Sequence, residues 1–244
     1  MLKVKTEITV VNVLSILLLC LLIYRCSSDT IPSKEVISLS VSEDSKPTVI
    51  IDAGHGGEDV GAIGIGDVYE KDLNLQISEK LGEYLCAAGY KVIYTRTDDR
   101  LLYTEEQNVK GMRKIYDLKN RIQIANAYTN AIFISIHMNY YGQPSCSGLQ
   151  VYHAVNSDSR SLARSIQDSV KNTLQPSNKR TIKEGNEIYV LKNCKLPAIL
   201  IECGFISNPD ESKKLSEKEY QKDLCFSILC GIIEYEKNRN RQEF

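Results

Sequence analysis

The sequence predicts an α/β fold: a single domain with a mostly parallel twisted sheet of about six strands, covered by helices on both faces. Three observations predict it. Short apolar runs rich in β-branched residues alternate with amphipathic helical stretches from residue 48 to residue 237. Several runs break into glycine-rich or polar turns, as strands feeding a helix do. No internal repeat divides the pattern, and 244 residues with 43% hydrophobic and 25% charged content suit one core.

At the N-terminus, Lys3 and Lys5 precede a largely apolar run from Ile8 to Tyr24, broken by Thr9, Asn12 and Ser15. A basic flank before such a run reads as a signal peptide or membrane anchor, residues 1–26, with the rest outside the cytoplasm. Residues 27–47 are rich in Ser, Asp, Glu and Lys and form a polar linker. The folded domain is expected over 48–238, with a polar tail at 239–244.

Within the domain, Thr48–Ile51 is a buried strand that ends in Gly54-His55-Gly56-Gly57. Leu73, Ile77, Leu81, Tyr84, Leu85 and Ala88 recur at helical spacing and stop at Gly89. Lys91–Tyr94 is a second strand, 101–112 a loop, Asp117–Tyr128 a helix and Ala131–Ile136 a third strand. Leu149–Tyr152 alternates as a strand, and Ser157–Leu174 reads as a helix. Ile188–Leu191 and Ala198–Ile201 are two further strands. A last helix from about Glu217 to Lys237 turns Tyr220, Leu224, Ile228, Ile232 and Tyr235 inward.

Thirty basic against 31 acidic residues leave a net charge of −1 and no basic face for nucleic acid. Of eight cysteines, Cys20 and Cys26 lie in or beside the apolar run. The other six lack CxxC spacing, which excludes a zinc finger and favours small buried hydrophobes. Export permits a disulfide among them.

Chemistry is indicated where polar residues interrupt apolar strands. His55 follows the first strand, His137 the third and Glu202 the last, while Glu70 stands at the entrance to the first long helix. In open α/β sheets, ligands collect at the carboxyl ends of the strands. A hydrolytic zinc site needs three protein ligands and an open position, plus a carboxylate that moves a proton. His55, Glu70, His137 and Glu202 supply these roles. Each has a plainer reading: a turn residue, a carboxylate at a helix N-terminus (with Glu58 and Asp67 nearby), a buried histidine, and a salt bridge to Arg96 or Arg121. His153 reads as a surface or rim residue. Asn139 and Arg96 read as supports of the site, as substrate contacts or as purely structural residues, and Gly54, Gly56 and Gly57 serve the backbone turn.

The stretches Ile50–Gly57, Ser135–Asn139 and Ile201–Pro209, with Glu70–Leu75 and Thr95-Arg96, resemble the signature blocks of the family-3 N-acetylmuramoyl-L-alanine amidases. The resemblance runs from about Val49 to Tyr235. It implies that His55, Glu70 and His137 bind Zn2+ and that Glu202 is catalytic. It also implies hydrolysis of the amide between N-acetylmuramic acid and L-alanine in peptidoglycan. Cys203 departs from an expected apolar residue, but strand alternation turns it away from Glu202. The plain domain behind an apolar segment is similar to the CwlD-type sporulation amidases. That likeness implies stem-peptide removal in the spore cortex, as the first step toward muramic-δ-lactam, and a location at the cell envelope or in the forespore intermembrane space.

Expected partners are the muramoyl-peptide substrate, the membrane through the N-terminal segment, and an accessory protein that regulates activity or zinc loading. A histidine phosphatase would need an arginine before the histidine, where Gly54 stands. A non-catalytic wall-binding or scaffold protein with the same fold is the alternative, against which all four positions are filled.

Overall fold

The computed structural model describes residues 46–242. The signal or anchor over 1–26, the linker up to residue 45 and the last two residues lie outside the described residues. Six strands form one sheet in the order β2-β1-β3-β6-β4-β5: β1 (Thr48–Ala53), β2 (Val92–Tyr94), β3 (Ala131–Asn139), β4 (Gln150–His153), β5 (Lys183–Glu184) and β6 (Ala198–Phe205). β2, β1, β3 and β6 run parallel, with Ile50 beside both Ile93 and Phe133, and Ile134 beside Ile199. β4 is antiparallel to β6, placing Gln150 beside Glu202, and β5 extends that edge parallel to β4. The sheet is thus mostly parallel with a reversed edge.

Helices α1 (Glu70–Ala87), α3 (Ser157–Thr173) and α6 (Lys218–Gln242) cover one face; α2 (Arg113–Asn126) and α4 (Tyr189–Asn193) cover the other. The first core joins Ile51, Ile134, Ile136 and Ile201 to Ile77 and Leu81 of α1, Ile166 of α3 and Ile228 and Ile232 of α6. The second joins Ile50, Phe133 and Leu200 to Ile122, Ala125, Val190 and Leu191. Burial of each of the Ile, Leu, Val and Phe side chains stabilises the fold by about 1.5–3 kcal/mol. A Cβ on Gly231 would lie 2.6 Å from the Ile166 Cα, so a glycine is what lets α6 and α3 approach so closely.

Several expectations need correction. Ile188–Leu191 is not a strand. Lys192 N–H donates to the Ile188 carbonyl, winding α4. The edge position beside β4 is taken by Lys183–Glu184. α5 (Pro209–Ser216) was not expected, although Asn208 caps it by accepting from Asp210 N and Glu211 N, with proline in the first turn. α6 continues past Lys237 through the first residues of the expected tail. The 101–112 loop contains a 3-10 turn, Glu105–Gln107. Among the described residues all six cysteines are free thiols, with Cys203 and Cys225 buried. No helix among the described residues is long and apolar enough to cross a membrane.

Candidate metal centre and active site

The carboxyl ends of β1, β3 and β6 lie side by side, and the structure brings all four sequence-predicted residues to that end. The chain leaving β1 turns sharply. His55 adopts φ 61°, and Gly56 and Gly57 also have positive φ. This turn carries the imidazole over the sheet. His55 Nδ1 pairs with Asp59 Oδ2 at 2.9 Å, leaving Nε2 3.3 Å from Glu70 Oε1. The same Glu70 oxygen lies 3.0 Å from His137 Nδ1 and accepts from the Met138 N–H, while its Oε2 accepts from the Ala62 N–H. The two rings stand edge to face, 4.9 Å apart.

One ligand atom from each of His55, Glu70 and His137 lies within 4.8 Å of the others. Zinc–ligand bonds are about 2.0–2.2 Å, so one ion can reach three such atoms after small side-chain adjustments. Two imidazoles and one carboxylate are a hydrolytic-zinc donor set, so the residues fit the ion. Gly54 makes the arrangement sterically feasible: a Cβ there would meet His137 Nε2 at 2.1 Å.

Charge follows this geometry. Burial opposes protonation of His55, but hydrogen bonds to Asp59 and Glu70 outweigh it and raise its pKa to about 9. Burial would push Glu70 up, yet the two histidines hold it well below the usual carboxylate range. Cations and protons therefore compete for the same basin of negative potential.

Glu202 lies within β6, directly beside His137 of β3, and the β3–β6 register shifts just beyond that pair. Its Oε2 is buried without a hydrogen-bond partner. Burial, with the negative charge of Glu70, raises Glu202 to about 7 against the opposing pull of His137 and His55. It forms no salt bridge with either arginine. Arg121 pairs with Asp52 and Asp117 and donates to the Ala53 and His55 carbonyls. Arg96 donates to the carbonyls of Ala53, Gly54, Lys71 and Asp98. Arg96 is thus a backbone support, and Asn139 lies at the end of β3 with its carbonyl bonded to Ile206 N.

Glu58 is paired with Arg113, and Asp67 sits at a turn with φ 59°. His153 is not at the surface: it is 3% exposed at the far end of β4, with Nδ1 against the Ala154 carbonyl. Sequence reading missed Asp59 and Asp52. Asp59 stands four residues past a candidate ligand in a tight turn. Asp52 is a carboxylate inside an apolar strand, which required buried partners; it accepts from Thr95, Ser135 and Arg121.

A cleft of about 190 Å³ opens beside the two histidines, walled by Leu118, Ile188, Tyr189 and Val190. Larger grooves around Val155 and Asn156 lie at the opposite end of β4 and share none of the four residues.

A family described as N-acetylmuramoyl-L-alanine amidase matches residues 49–234. A germination-specific N-acetylmuramoyl-L-alanine amidase of Bacillus subtilis (strain 168) is 35% identical over 188 residues, 77% of this chain and 78% of the relative. The CwlD amidase of Clostridioides difficile, solved in complex with the GerS lipoprotein, superposes with a TM-score of 0.74 at 39% identity, over 78% of this chain and 98% of that one. The catalytic domain of CwlV, an N-acetylmuramoyl-L-alanine amidase from Bacillus (Paenibacillus) polymyxa, gives 0.64 at 31% identity, over 78% and 97%.

Proposed function

The chain belongs to the N-acetylmuramoyl-L-alanine amidase family, and from that premise we propose that it is a zinc hydrolase in which His55, Glu70 and His137 hold the ion and Glu202 moves the proton. As an amidase it cleaves the amide between N-acetylmuramic acid and L-alanine in peptidoglycan, so the scaffold alternative falls away. The observation that carries the residue assignment is the convergence of two imidazoles and a carboxylate beside a second, unpaired buried carboxylate.

Bound zinc would polarise the scissile carbonyl and acidify a water. The chain's own residues do the rest. Asp59 fixes the His55 tautomer, so that Nδ1 donates and the Nε2 lone pair faces the cluster. The Met138 and Ala62 amides orient Glu70. Glu202, next to His137, takes the proton from the attacking water and returns it to the leaving L-alanine nitrogen as the C–N bond breaks. Its raised pKa suits both transfers near neutrality.

Glu202→Gln tests the assignment. Zinc content by elemental analysis should be kept, while turnover of a muramoyl-peptide falls about 10²–10⁴-fold. Full activity in this variant would refute the role of Glu202.

The likeness to the germination-specific and CwlD amidases supports a finer reading. The chain is exported or anchored at the cell envelope, and it strips stem peptides from the spore cortex toward muramic-δ-lactam. The CwlD structure is a complex with a lipoprotein, which supports an accessory protein governing zinc loading or activity. Purified cortex and vegetative sacculi digested side by side test the substrate, with selective release from cortex expected. Full zinc loading and turnover by the isolated chain would count against an accessory protein.

A further inference from the structure

Arg180 is a cation at the site end of the sheet that the chemistry above does not use. It follows α3 in the connection that returns to the start of β4. Its Nε donates to the Ser147 carbonyl at 2.8 Å, and its Nη1 donates to Gln150 Oε1 at 3.2 Å. The guanidinium lies over the Phe205 ring, 4.3 Å from the centroid. Gln150 is itself fixed by donating to the Thr181 carbonyl, and it is the cross-strand neighbour of Glu202. One strand spacing therefore separates the proton-moving carboxylate from the residue that holds this arginine.

The guanidinium is rigidly held yet underused. Among the described residues no carboxylate lies within ion-pair distance of it, and its Nη2 has no hydrogen-bond partner. The nearby Glu211 spends both oxygens on the Gly148 and Phe205 amides. The other cations around the site are committed: Lys71 to Asp99, Lys114 to Asp59, Arg121 to Asp52 and Asp117. A half-buried, pre-oriented arginine fork with free donors is suited to a planar carboxylate.

We propose that Arg180 anchors a carboxylate of the stem peptide, which places the leaving peptide along the β4 edge of the cleft beyond Glu202. This anchoring role rests on the amidase reading, because the chemistry of that substrate fixes the direction. The lactoyl carboxyl of muramic acid is consumed in the scissile amide, so the carboxylates left on a muramoyl-peptide belong to its peptide half. An arginine held on the Gln150 side of Glu202 thus meets the amine-side portion, and the sugar falls toward Ile188 and Tyr189.

The test compares two probes: N-acetylmuramoyl-tripeptide with free carboxylates, and the same compound with them converted to carboxamides. The wild-type enzyme should prefer the free acid, with a KM lower by about tenfold. R180A should raise KM for the free acid about tenfold or more, change kcat little, and leave the carboxamide kinetics unchanged; R180K should fall between. Equal losses on both probes, or a wild-type enzyme indifferent to amidation, would overturn the proposal. A zinc-loaded wild-type protein, assayed with its accessory partner present, that turns over neither probe would instead refute the amidase chemistry beneath it.

Discussion

Asp59 acts through another residue. Its Oδ2 holds His55 Nδ1 at 2.9 Å and is shared with Lys114 at 3.0 Å. Carboxylates behind metal-binding histidines typically contribute 10–100-fold in affinity. Asp59→Asn should therefore weaken zinc binding by about that factor in competition with a chromophoric chelator, while the far-ultraviolet circular dichroism is unchanged. Unaltered affinity would leave Asp59 as a partner for Lys114 alone. The ligand candidates and Glu202 were legible because polar groups stand out against apolar strands. Asp59 was not, because one aspartate in a polar turn looks like any other. His153 misled for the converse reason: a lone histidine at a strand end carries no mark of whether it will be buried against a backbone carbonyl or left at the surface.

At the level of elements, Asp52 joins four pieces of chain. It sits in β1 and accepts from Thr95 beyond β2, Ser135 of β3 and Arg121 of α2. Burial opposes its charge, but Arg121 and the two hydroxyl donors hold its pKa below 3.8. A depressed carboxylate stabilises the fold above its unfolded pKa, and this contribution is lost as pH falls through the folded value. Asp52→Asn should thus cost about 3–5 kcal/mol in urea unfolding at pH 7, with the gap to wild type narrowing below about pH 4. A constant gap across that range would contradict the ion-pair account. Element type was readable where pattern and length agreed, as in β1, β3 and α3. It failed at Ile188–Leu191, four apolar residues too short for periodicity to separate a strand from one helical turn. It also failed at α5, where the Asn208-Pro209 start signal was present but the following turn is mostly polar.

For the molecule as a whole, the site is assembled from β1, α1, β3 and β6, so an ion held there ties segments far apart in sequence. Ligands that bind only the folded state stabilise it by mass action, about 2.7 kcal/mol at a hundredfold excess over Kd. For a domain of this size that corresponds to roughly 5–10 °C in Tm. Chelation should lower the melting temperature by about that amount, and zinc should restore it; a Tm indifferent to both would argue against a cation there. The reversed edge strand has its own consequence. Because β4 runs against β6, the stretch entering it from β3 and the one that ends at Arg180 both return to the site end of the sheet. Neither contributes any of the four central side chains. Residues 140–147 are accordingly where a longer or exchanged loop could retune which wall fragments are admitted, with the cation-holding framework left intact.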